Sequence, residues 1–73
     1  MEYLKINFPE VRGLLVNGKP FGKTTQEVIE IEAGTHTISL QPPANFQPQE
    51  IIIVLEPNKT GPLSYREVDF EKI

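Results

Sequence analysis

The stretch Asn17-Gly-Lys-Pro-Phe-Gly-Lys-Thr-Thr25, "NGKPFGKTT", decides how this chain folds. It contains Gly22-Lys23-Thr24, the closing triplet of a phosphate-binding loop. That loop has the form G-x-x-x-x-G-K-[ST], which requires a glycine at position 17, where the chain has Asn17; Gly18 is one place off. A phosphate loop also needs a helix behind it, whose N-terminal N–H groups point at the phosphates. Here Thr25 leads instead into "QEVIEIEAG", Gln26–Gly34, in which Ile29, Ile31 and Ala33 alternate with Glu30 and Glu32. Alternation at period two is the signature of a half-buried strand. Pro20 further removes one N–H that a phosphate cradle would use. The stretch is therefore expected to be a turn between strands. Asn17-Gly18 is the preferred pair for a type I′ hairpin turn, Lys19-Pro20 begins an extended return, and Gly22 lets the chain change direction before the next strand.

Working outward, the period of two persists. "EYLKINF" places Leu4, Ile6 and Phe8 on one face, and "THTISLQ" places His36, Ile38 and Leu40 on one face against Thr35, Thr37 and Ser39. "IEAGTHTI" is a hairpin signal, with Gly34 suited to positive φ. Ile51 to Leu55 are apolar on both faces, the pattern of a central or doubly covered strand. The last segment alternates Leu63 and Tyr65, then Val68 and Phe70; the parity slip near Arg66-Glu67 predicts a bulge, with a short terminal helix as the competing reading. Pro9, Pro42-Pro43, Pro48, Pro57 and Gly61-Pro62 fall between these runs. Six main strands, with a short one near Phe21, predict an all-β fold: a small antiparallel β-sandwich over residues 1–73 as one domain.

Composition narrows the function classes. Seven basic residues stand against ten acidic ones, for a net charge of −3. Backbone-driven nucleic-acid binding needs clustered Lys and Arg, so no nucleic-acid partner is expected. Without cysteine there are no disulfides, thiolate zinc sites or cysteine nucleophiles. No run approaches ~18 apolar residues, so no membrane insertion is expected. "MEYLKINFPE" lacks the basic start and apolar run of a signal peptide, so the chain as written is expected in the cytoplasm, or outside it if it is part of a larger envelope protein.

Leu14-Leu15-Val16, Asn17-Gly18, Gly22-Lys23-Thr24, Ile29 and Ile31, Ala33-Gly34-Thr35-His36, Ile38 and Leu40, then Ile51 to Leu55 follow one another in an order and spacing that resembles the PEGA domain, a small β module found in many bacterial and archaeal proteins. Thr25 stands where that family favours proline, and Asn45-Phe46 stands where it favours Gly-Tyr. The resemblance implies a β-sandwich of larger envelope or surface proteins, with no catalytic residues or cofactors of its own.

The remaining residues of chemical interest are few. His36 is the lone histidine, without a second His or a Cys beside it, and in strand register it reads as a half-buried strand residue rather than a metal ligand. Glu27, Glu30 and Glu32, with Glu50 and Glu56 elsewhere, read as the wet side of strands more than as acid–base pairs. Phe46 lies in "PPANFQPQ", a proline-framed loop, where it either caps the core or anchors a partner. Ile52 and Val54 are the other candidate partner contacts: if their face is uncovered, a protein partner or a second copy could bury it. The expected function is accordingly a non-catalytic structural or interaction module presenting a strand edge or a loop. The alternative is an accessory domain binding carbohydrate or another small ligand through Asn45–Gln49, with Phe46 as the platform; an oligonucleotide-binding barrel ranks third because of the charge.

Overall fold

The computed structural model describes residues 1–73 and is all-β: β1 (Glu2–Asn7), β2 (Gly13–Val16), β3 (Lys19–Thr24), β4 (Val28–Ile31), β5 (Gly34–Leu40), β6 (Phe46–Gln47), β7 (Ile51–Leu55), β8 (Arg66–Asp69) and β9 (Glu71–Lys72). One layer runs β4-β1-β8, the other β3-β2-β5-β7, and β6 pairs with β9. Alternation explains what lies between the layers. Leu4, Ile6 and Phe8, with Ile29 and Ile31, Val68 and Phe70, face Leu14, Ile38, Leu40, Ile53 and Leu55, and Phe46 completes a cluster of 13 buried side chains. Phe8, Phe46 and Phe70 meet edge to face, with ring centroids 6.3 and 5.8 Å apart, the arrangement the ring quadrupole favours.

The opening stretch forms the predicted turn. Asn17 and Gly18 take φ of 53° and 81°, the two positive values of a type I′ hairpin. Asn17 Oδ1 also accepts from Thr37 N–H at 2.9 Å, so the turn extends the β2–β5 ladder. Phe21 lies in a six-residue strand rather than a short one. Gly22, at φ 81°, sits inside that strand, where the β2–β3 register shifts, and not at its end.

Several expectations are corrected. "IEAGTHTI" is not a hairpin: β4 pairs with β1, β5 pairs with β2 and β7, and Gly34, at φ 127°, carries the chain from one layer to the other. Ala33 is accordingly exposed on that crossing rather than aligned with Ile29 and Ile31 in the core. Ile51–Leu55 is neither central nor covered twice; β7 is the edge of its sheet. Leu63 is 95% exposed, because Gly61 and Ser64 exchange both backbone hydrogen bonds and close a tight turn around it. That turn, rather than a bulge at Arg66-Glu67, resets the parity before β8, and the tail is strand rather than helix. The sandwich is also not wholly antiparallel, since β8 lies parallel to β1.

Candidate interaction surface

The two outer faces of the sandwich differ in chemistry. Outside the three-stranded layer, Tyr3 stands opposite Glu30, Lys5 opposite Glu67 and Asn7 opposite Asp69, a charged surface. Asn7 donates to Asp69 at 2.8 Å, and the Lys5 ammonium lies 5.9 Å from the Tyr65 ring centre. Outside the four-stranded layer, the residues of opposite parity to the core are Pro20, Leu15, Ser39, Thr37, Thr35, Ile52 and Val54, matched Leu15 to Pro20 and Ser39, Thr37 to Ile52, and Thr35 to Val54. None carries a charge. Ile52 and Val54 are 66% and 58% exposed.

The four edges of the two layers differ as well. An exposed edge offers unpaired N–H and C=O groups, and proteins blunt it with charge, proline or bulges. β3 has Lys19, Pro20, Lys23 and the register shift at Gly22. β4 is four residues long and contains Glu30. β8 contains Arg66, Glu67 and Asp69. β7 reads Ile-Ile-Ile-Val-Leu, with no charge, no proline and no glycine, and no strand is bonded to its outer side. Its charges lie just beyond its ends. Glu50 and Glu56 share the outward parity of Ile52 and Val54 and are exposed. A hollow at the C-terminal end is bordered by Val54, Glu56, Lys59, Tyr65 and Arg66. The ion pairs of the molecule both belong to Glu10, with Arg12 at 2.8 Å and Lys72 at 3.0 Å, so Glu50, Glu56, Lys59 and Arg66 are all unpaired.

Of the three expected contact residues, the structure brings Ile52 and Val54 together on one surface and withdraws Phe46, which is 3% exposed. Phe46 is a core cap, and its ring is no platform for a sugar. The polar groups of the same loop are also engaged: Asn45 Oδ1 accepts from Arg12, Gln47 donates to Glu71, and Gln49 donates to the Phe46 carbonyl. His36 is half-buried, with Nε2 2.7 Å from the Glu32 carbonyl across the β4–β5 crossing; this bond makes Nε2 the donor and leaves Nδ1 without a protein partner. The glutamates do not converge. Glu27 caps the end of β3, accepting from the Thr24 hydroxyl and N–H, which hold its carboxyl below the ordinary value. No three His, Asp or Glu side chains meet as a metal-holding group, and no helix is long and apolar enough to cross a membrane.

Three side chains have structural roles that the sequence did not show. Glu2, 2% exposed, accepts from the N–H groups of Asn58, Lys59 and Thr60 and from the Thr60 hydroxyl. Thr25, also 2% exposed, clamps the β1–β2 crossing between Glu10 and Arg12. Arg12 donates to the Gln41 and Pro43 carbonyls and to Asn45 and Glu10, and stacks over Phe8. All three hold loops together across long sequence separations that no local pattern encodes.

The fold and surface define a small all-β domain with one bare, uncharged edge strand. Compared with protein-family models, curated proteins and solved structures, the chain has no match in any of the three.

Proposed function

We propose that this domain is a non-catalytic protein-interaction module of the PEGA type, which engages a protein partner or its own copy along β7 and the uncharged face beside it. The observation that carries this reading is the contrast among the edges: three are blunted by charge or proline, and β7 alone is left bare. A bare edge accepts a further strand through main-chain hydrogen bonds, while side chains on one face supply selectivity. The neutral outer face supports the same reading, because apolar and hydroxyl side chains lose little on desolvation. The PEGA-like order of motifs supports a module without its own chemistry.

The test is comparative. The domain and its Ile52→Lys/Val54→Lys variant are immobilised and exposed to extract of the source cells, with circular dichroism confirming that both are folded. Proteins retained by the natural domain and lost by the variant bear the reading out. Identical retention by both contradicts it.

A further inference from the structure

We infer that the occupant of the β7 edge is a second copy of this chain, added antiparallel about Ile53 to give a closed homodimer. This rests on the edge-recognition reading above and names the partner. Each copy has one unguarded edge, and a two-fold pairing consumes both, so the assembly stops at two and joins two four-stranded layers into one continuous sheet. In an antiparallel ladder alternate residues turn both N–H and C=O to the same side, so half of β7 already faces away from β5. Centring the pairing on Ile53 sets Ile52 opposite Val54 of the second copy and Ile51 opposite its Leu55. All five residues of the strand are then matched, whichever alternate set is free, and Ile52 and Val54 of both copies form one apolar stripe.

Charge is compatible with the same register. Glu50 of each copy arrives at the other's hollow, where Lys59 and Arg66 border Glu56, two cations against one carboxylate. None of these groups has an ion-pair partner within its own chain. Glu50 also comes opposite Glu56 of the second copy, a repulsion that Lys59 and Arg66 offset. Slipping the pairing either way sets Glu50 against Val54 or Glu56 against Ile52, trading apolar pairs for mismatched ones. The pairing is therefore antiparallel, two-fold and single-registered.

Sedimentation equilibrium of the full chain from about 1 to 300 µM, a range that brackets a micromolar Kd, is the direct test. The natural chain dimerises. Ile52→Lys/Val54→Lys places ammoniums directly opposite one another and raises Kd about tenfold or more. Lys59→Glu/Arg66→Glu replaces with carboxylates the two cations that offset the opposition of Glu50 and Glu56, and weakens the dimer. The chain has no cysteine, so mixing Ile52→Cys with Val54→Cys chains reports the register: the mixed disulfide forms on oxidation in preference to either like pair. Circular dichroism identifies any variant that unfolds. A natural chain monomeric throughout the range overturns the inference, as does a dimer indifferent to all these substitutions or one that cross-links without preference for the mixed pair. If the chain is monomeric yet extract proteins distinguish it from Ile52→Lys/Val54→Lys, the second copy is refuted and the edge reading stands; if neither happens, both fall.

Discussion

A proline at position 25 would remove three hydrogen bonds from this chain at once. The Thr25 N–H donates to the Arg12 carbonyl at 2.8 Å, and its hydroxyl donates to the Glu10 carbonyl at 2.7 Å while accepting from the Arg12 N–H at 2.9 Å. Thr25 thereby closes both sides of the Glu10–Arg12 crossing. Thr25→Val keeps the shape and strands a buried donor and acceptor, at a cost of about 1–3 kcal/mol in urea denaturation; Thr25→Pro costs more. Glu2 is the second such residue. The N–H of Asn58 and then the Thr60 hydroxyl, with the N–H groups of Lys59 and Thr60, hold its carboxyl below the ordinary 4.5. A carboxyl depressed by folding stabilises the native state above its unfolded pKa, and that stabilisation is lost as the pH falls through the folded value. Stability is therefore flat in this respect above about pH 4.5 and declines below it. Glu2→Gln lowers the urea midpoint at pH 7 and shallows the acid limb, measured between pH 7 and 3 by linear extrapolation of urea denaturation. Some acid slope remains, since Lys72 and then Arg12 depress Glu10, and the Thr24 hydroxyl depresses Glu27. The roles of Glu2 and Thr25 were invisible in the sequence because their partners lie 56–58 and 13–15 residues away.

At the level of the elements, what was legible followed from local chemistry. Asn17-Gly18 demands positive φ at both places, and the hairpin is there. Gly18→Ala at φ 81° strains the turn and costs about 1 kcal/mol in thermal or urea unfolding. Alternation named most of the core strands, Leu4, Ile6, Ile29, Ile31, Ile38 and Leu40 among them. Two element-level readings failed for one reason. A glycine with positive φ serves a hairpin and a crossing between layers equally well, so "IEAGTHTI" could not say which sheet β5 would join. Five consecutive aliphatic residues encode a strand but not what covers it, so Ile51–Leu55 read as central when it is an edge. The two faces of β7 therefore respond differently to substitution. Ile53→Ala opens a cavity at a side chain 2% exposed and costs about 2–5 kcal/mol. Ile52→Thr and Val54→Thr, on the bare face, change the stability of the dilute chain by about 0.5 kcal/mol or less in the same denaturation experiment.

At the scale of the whole molecule, two features close the sandwich. The parallel pairing of β1 with β8 joins the two ends of the chain, and the Phe8–Phe46–Phe70 cluster seals one end of the core. Neither was legible, because both rest on contacts between distant segments; the sequence left Phe46 as either a core cap or a partner anchor. Phe46→Ala removes the middle ring and costs about 3–5 kcal/mol, enough to unfold much of a domain this small, as the loss of near-ultraviolet circular dichroism reports. Association belongs to this scale too, since it concerns the one edge that the fold leaves unguarded. Amide hydrogen exchange across Ile51–Leu55 tests that central claim most directly. The amides of β7 that do not bond to β5 become protected as the chain concentration rises, while those of β3, β4 and β8 that face outward do not; exchange along β7 that is independent of concentration and of added cell extract contradicts it.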